Sequence, residues 1–297
     1  MELTNVMYWF WISKIPEIGI KTIDKLLETF GSLEKIFYAS ESQLLDSNNI
    51  TMQQVSNLIK SRNEDKIIEQ YNKLQEKDIY FVTKDDEAYP ARLREIYDAP
   101  YFLYYKGSLP KDSTPSVAII GARNCTNYGK EITLHFSKEL AKNRVQIISG
   151  LARGIDSYAH LGALDGGGDT YGVIGCGVDI CYPSENRRIY DQVSRNGGII
   201  SEYPLGTAPL PFHFPMRNRL IAGFCDAILV VEARESSGTF ITVDRGLEQG
   251  KDILAIPGRI GDSLSYGCNR LIQNGAKLIK NVEDILEELY LKYNGYR

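Results

Sequence analysis

Residues 116–156 read SVAIIGARNCTNYGKEITLHFSKELAKNRVQIISGLARGID. Two short apolar runs, Ser116–Gly121 and Val145–Gly150, each stop at a glycine, and the stretch between them is long enough for a crossover helix. The alternation continues downstream through TYGVIG (170–175), GIIS (198–201), DAILVVEA (226–233), DILAIPG (252–258) and AKLI (276–279). Parallel strands covered by helices on both faces read as unbroken apolar runs of this kind. The pattern predicts an α/β fold built on a mostly parallel sheet over residues 113–297. It closes with a helix, NVEDILEELYLKY, capped by Asn281.

Upstream the pattern changes. Residues 1–75 read as helical: in KTIDKLLETFGSLEKIFYAS, Ile23, Leu26, Leu27 and Phe30 share one helix face. IPEIGIKTIDKLL places Gly19 in a short turn leading into that helix. It reads either as a helix-hairpin-helix element offering backbone N–H groups to a phosphate or as a plain turn between packed helices. The partner segment SNNITMQQVSNLI (47–59) has no glycine turn. Residues 76–112 form a bridge with two strand-like runs, Ile79–Thr83 and Tyr101–Lys106, around a Tyr-Pro turn.

The 297 residues carry 43% hydrophobic and 24% charged side chains, the range of a soluble globular protein. Apolar runs such as Ala227–Val231 fall far short of the roughly 20 residues of a membrane span. The N-terminal MELTNVMYWFWISKIP lacks a basic n-region and a small-residue cleavage site, so it reads as a helix start rather than a signal peptide. Five cysteines without a C-x-x-C pair argue against a disulfide framework or a structural zinc and place the chain in a reducing, cytoplasmic setting. The net charge is −4, yet residues 121–220 hold 11 Lys+Arg against 9 Asp+Glu. The acidic excess lies in the flanks, and charge permits a local site for an anion without specifying one.

In parallel α/β sheets ligands gather outside the carboxyl ends of the strands. Four such ends here carry glycine and small polar residues: Gly121–Gly129, Ser149–Asp156, Gly175–Gly177 and Ser236–Thr239. Together they form an edge of backbone N–H groups suited to phosphate or sugar. The first loop is not G-x-G-x-x-G, and G-x-x-x-x-G-K-[ST] is absent, which disfavours NAD binding and P-loop hydrolysis. His135 reads as a surface or packing residue of a helix. His160 follows Asp156 by four residues, which suits either a tuned general base or a structural hydrogen bond. His213 suits stacking within a loop. Glu202 and Glu232 end strands, where a paired-carboxylate hydrolase is one reading and capping or orienting basic residues is the other. Phe212–Arg219 (FHFPMRNR) reads as part of an aromatic-proline loop in which two arginines flank an asparagine, a planar fork for phosphate beside a ring on which a base can lie. Arg123 and Arg153 in the first two loops extend that cationic rim, while salt bridges to Glu202 and Glu232 are the competing role for Arg217 and Arg219.

The strings GARNCTNYG, SGLARGIDSYAH, GCGVDICYP, SEYPLG, FPMRNRLIAG, VVEARESSGTFIT, AIPG and GCNRLIQNGA occur in this order from about Ser116 to Ala276. They resemble the motifs of the DprA/Smf family, and IPEIGIKTIDKLLETFGSLEKIF is similar to that family's small helical domain. The resemblance implies an extended Rossmann-like fold after a small helical domain of SAM or helix-hairpin-helix type. It implies single-stranded DNA held in a strand-end groove, with no enzymatic activity, cofactor or metal. It further implies homodimers that protect incoming DNA and deliver it to the RecA recombinase in natural transformation, with no membrane partner.

Carried onto this chain, the resemblance makes Arg123, Arg217 and Arg219 phosphate contacts and Phe214 a base platform. Gly121, Gly150 and Gly154 would let DNA approach the backbone, and Arg153, Asn218, Ser237, Gly238 and Thr239 complete the set. Ala122 stands where the family usually has serine. Asp244, Arg245 and Lys251 depart from its usual pattern, and the winged-helix domain of some members is not expected after residue 297. Two other readings share this sheet type. One is a nucleoside-phosphate hydrolase of the LOG-like group, whose P-G-G-x-G-T-x-x-E segment is replaced here by ESSGTFITVD without its glutamate. The other is a sensor of a small signalling nucleotide.

Overall fold

The computed structural model describes residues 2–47 and 50–294. The chain divides into two compact units, one of residues 1–89 and 97–104, the other of 90–96 and 105–297. The segment read as a bridge is thus shared between them.

The first unit holds helices α1 (Asn5–Ser13), α2 (Ile20–Phe30), α3 (Leu33–Tyr38), α4 (Glu41–Asp46), α5 (Met52–Lys60) and α6 (Glu64–Gln75), followed by β1 (Tyr80–Thr83). Met7 through Ile12 are all buried, as expected of a short helix that is apolar all round. On α2, Ile23 and Leu26 are buried, and Leu27 and Phe30 are half-buried. Capping boxes at Ser40/Gln43 and Thr51/Gln54 start α4 and α5. Asn48 and Asn49, part of the segment compared with a hairpin partner, lie outside the described residues. In the turn before α2, the left-handed residue is Glu17 (φ 66°), whereas Gly19 is extended at φ −100°.

The strand β2 (Phe102–Gly107) passes from the first unit to the second at Tyr104/Tyr105. The second unit then contains α7 (Ala91–Arg94), β3 (Ser116–Ile120), α8 (Asn127–Lys142), β4 (Gln146–Ser149), α9 (Ile155–Asp165) and β5 (Thr170–Val173). It continues with α10 (Arg187–Val193), β6 (Gly197–Ser201), α11 (His213–Phe224), β7 (Ala227–Val230), α12 (Thr239–Glu248), β8 (Asp252–Ala255), α13 (Tyr266–Gln273), β9 (Lys277–Leu278) and α14 (Glu283–Asn294). Every strand-like run read from the sequence becomes a strand. The Asn281 side chain accepts the Asp284 N–H at 3.0 Å at the start of α14.

Within this unit the strands run in the order β6-β5-β4-β3-β7-β8-β9, and each neighbouring pair is parallel. Burial of both faces explains the unbroken apolar strands: Val117, Ile119, Ile147, Leu229 and Leu254 form one core with Phe136, Leu140 and Ile155 of the covering helices. Chain order reverses at β3, which has β4 on one side and β7 on the other. Such a switch point leaves a crevice outside the carboxyl ends of the central strands.

Candidate functional site

The crevice is present as an open groove of about 600 Å³. The loop after β3 contributes Gly121, Ala122 and Arg123, and the loop after β7 contributes Ser236, Ser237, Gly238 and Thr239. Phe214, Arg217 and Asn218 of α11 form the facing wall, joined by Tyr182. Eight of the residues singled out from sequence therefore meet here: Gly121, Arg123, Phe214, Arg217, Asn218, Ser237, Gly238 and Thr239.

The segment read as an aromatic-proline loop is the first turn of α11 from His213 onward. Pro215 fits there because an N-terminal turn needs no N–H donor from it. The helix explains why two arginines two positions apart behave differently: they point to opposite sides of its axis. Arg217 faces the groove floor. Its Nη1 donates to the Gly150 carbonyl at 2.8 Å and to the Val173 carbonyl, and its Nε donates to Asn218 Oδ1 at 3.2 Å. Arg219 faces the interior at 1% exposure and holds both Glu202 oxygens from Nη2 at 2.8 Å. The expectation of Arg219 as a phosphate contact is corrected accordingly: its charge is already matched inside the protein.

The exposed cation of the groove is Arg123. Its guanidinium lies 6.0 Å from the centre of the Phe214 ring, and that of Arg217 lies at the same distance. Tyr182, 47% exposed, sets its ring 5.5 Å from Phe214 at an interplanar angle of 31°. Opposite them, Gly238 is the N-cap of α12, and Ser237 Oγ accepts the Thr239 N–H at 3.2 Å. A helix N-terminus with hydroxyls beside it favours an anion. Arg153 is exposed, pairs with Glu185 and does not line the groove.

The glycines also answer to a packing demand. A Cβ on Gly150 would lie 2.6 Å from Asp156 Oδ2 and 2.8 Å from Arg217 Nη2. At Gly154 (φ 74°) it would meet the carbonyl oxygens of Ala122 and Arg123, and at Gly121 it would meet Ile155. The crowding comes from the protein's own loops, so at these positions glycine lets the edge pack on itself.

The groove floor is electrostatically tied down. Asp156 accepts the N–H groups of Gly150 (3.1 Å) and Ala152 (3.4 Å). Burial raises its carboxyl above the usual range, opposed by the neighbouring Arg217. Burial likewise lowers Arg217 to about 10, opposed by Asp156. His160 is fully buried with Nδ1 2.7 Å from Thr170 Oγ1, and the Thr170 hydroxyl donates to the Ile147 carbonyl. Burial, then Arg217, lowers His160 to about 3, leaving a neutral ring in a structural role. His213 is buried and stacks on Tyr203 at 4.0 Å, and His135 is exposed on α8. Glu232, 3% exposed, caps the approach to α8 by accepting from Thr126 N at 2.9 Å and from its hydroxyl. Both strand-end carboxylates are thus engaged with the protein.

Residues 80–290 match the model of the DNA recombination-mediator protein A family. The chain belongs to this DprA/Smf family. It is 48% identical to the DNA processing protein DprA of Streptococcus pneumoniae over 203 residues, covering 68% of this chain and 72% of the relative. The crystal structure of that species' DNA processing protein A superposes with a TM-score of 0.81 at 37% identity, over 97% of this chain and 99% of the other. A Helicobacter pylori DNA processing protein A, described in terms of its single-stranded DNA binding mode, matches with a TM-score of 0.64 and 32% identity over 72% of this chain and 97% of the other.

Asp244 of α12 and Lys251 beyond its end line a neighbouring cavity between α12 and α13 that shares Ser236 and Ser237 with the groove, and Arg245 pairs with Glu248 at 2.7 Å. Tyr182 is a groove residue that sequence reading passed over. Its YP context offered no periodicity, and only the tertiary fold brings it beside Phe214.

Among the described residues no helix is long and apolar enough to cross a membrane.

Proposed function

We propose that this DprA/Smf protein binds single-stranded DNA in the strand-end groove without catalysing a reaction on it. The observation that carries the reading is the exposed Arg123 guanidinium set over the half-buried Phe214 ring, opposite the N-terminus of α12. A cation beside an aromatic face tracks the backbone and receives an unstacked base, the combination used by sequence-tolerant single-strand binders. Arg217, Ser237, Gly238 and Thr239 supply further donors, and Asn218 lies beside them. The single-strand binding described for the Helicobacter pylori relative supports the same ligand here. Engagement of Glu202 by Arg219 and of Glu232 by Thr126 argues against the paired-carboxylate hydrolase.

In the cell, the protein would act as a cytoplasmic homodimer that protects incoming DNA and passes it to the RecA recombinase in natural transformation. The test is fluorescence anisotropy with a labelled single strand and a duplex of equal length, using wild type, Arg123→Ala and Phe214→Ala. Preference for the single strand, weakened by each substitution, supports the reading, with about 1–3 kcal/mol expected from loss of the stacking ring. Equal binding of both DNAs, or indifference to both substitutions, refutes it.

A further inference from the structure

A second cavity, of about 610 Å³, opens at the same strand-end edge. The segment entering α8 and the first turn of that helix serve both: Arg123 lines the groove, whereas Thr126 and Tyr128 line the second cavity. The opposite wall is the loop after β8, with Pro257, Gly258, Arg259, Asp262, Leu264 and Ser265. That loop is pinned along its length. Asn269 brackets Gly258, donating to its carbonyl at 3.0 Å and accepting its N–H at 3.2 Å. The Asp262 N–H donates to Arg259 O at 3.1 Å, and the Ala233 N–H donates to Leu264 O at 2.8 Å. The cavity is therefore pre-formed.

Its chemistry differs from that of the groove. The buried Glu232 carboxylate lines it together with Asp262, so acceptors and negative charge sit where the groove has donors. Glu232 uses two of its roughly four lone-pair sites on Thr126. Tyr128, 49% exposed, offers a ring face. Arg259 is exposed and has no ion pair among the described residues.

We propose that this cavity is a nucleobase subsite for the single strand held in the groove. Acceptor-rich walls repel a phosphate and receive the exocyclic amine of a base, as carboxylates receive the cytosine N4 amine. Tyr128 stacks on that base, and Arg259 meets the adjoining phosphate at the rim. Thymine, which carries no exocyclic amine, fits it worst. The assignment rests on the single-strand reading of the groove and adds to it a second compartment with a base preference.

The test uses the full chain with oligo-dT and oligo-dC of increasing length, comparing wild type, Tyr128→Ala, Arg259→Ala and Arg123→Ala, with melting temperatures as a check on folding. Wild type should gain affinity with length and bind long oligo-dC tighter than long oligo-dT. Tyr128→Ala, at an exposed position, should leave the shortest oligonucleotides unaffected and lower affinity for long oligo-dC roughly tenfold. Arg259→Ala should lower the same length-dependent gain, and Arg123→Ala should weaken every length. If Arg123→Ala weakens binding while Tyr128→Ala changes no length, the groove stands and the subsite falls. An equal loss at all lengths in Tyr128→Ala would make its role structural and also overturn the subsite. Displacement of oligo-dC by free deoxycytidine monophosphate, with no gain from length, would assign the cavity to a mononucleotide instead. Absence of single-strand binding by wild type removes both readings.

Discussion

Arg217 donates to the carbonyl oxygen of Gly150 at 2.8 Å, tying α11 to the end of β4 across the groove floor. The bond gives Arg217 two roles, lining a site and holding its shape, and the two separate by experiment. Arg217→Ala removes a buried cation whose neighbour Asp156 is itself buried, which costs about 3–5 kcal/mol. A chemical denaturation curve should show that loss before any DNA is added. An unchanged midpoint would mean that Arg217 does not support the floor.

Arg123→Ala should behave in the opposite way. Its side chain is exposed, so stability should move by less than about 0.5 kcal/mol. Its single-strand affinity should fall, and the slope of log K against log salt should decrease by about 0.7, the contribution of one neutralised phosphate on a single strand. A slope identical to wild type would remove Arg123 from the phosphate contacts.

Gly154→Ala should destabilise by about 1–3 kcal/mol or more, because φ 74° with ψ −128° is a glycine conformation and the new Cβ would press on two carbonyl oxygens. Thermal unfolding measures it. A neutral outcome would show that the loop after β3 can yield.

His160 makes stability pH-dependent in a defined direction. Burial lowers it in the folded state to about 3, against 6.5 for the ordinary side chain. Between those values the unfolded chain binds more protons at this site, so its stabilisation is complete above pH 6.5 and is lost as pH falls toward 3, by up to about 1.4 kcal/mol per unit. Asp156 acts in the opposite sense from 3.8 upward, since its folded carboxyl is raised. Comparing wild type with His160→Gln isolates the histidine: the variant's stability should vary less across that window, and an identical profile would contradict the assignment.

The sheet was legible because its signal is local. Each β-branched run between glycines became a strand, and the reversal at β3 follows from having helices on both faces. The edge glycines marked the crevice, Arg123 and Ser237–Thr239 were visible there as residues at strand ends, and Phe214 was visible through the FHFPMRNR segment. What the sequence did not reveal was orientation. Reading Phe212–Arg219 as a loop made Arg217 and Arg219 equivalent, whereas a helix from His213 turns one to the groove and the other to Glu202. Likewise Gly19 marked a turn whose left-handed residue is Glu17. Tyr182 and the Tyr128 cavity depend on segments distant in sequence, and no spacing rule reports such neighbours.

The most direct test of the central claim is photocrosslinking of a single strand carrying 5-bromodeoxyuridine, followed by mass spectrometry of the peptides. Attachment at Phe214 or Tyr182, reduced in Arg123→Ala, is the expected result. Crosslinks confined to residues 1–75, with none at the strand-end groove, would contradict it.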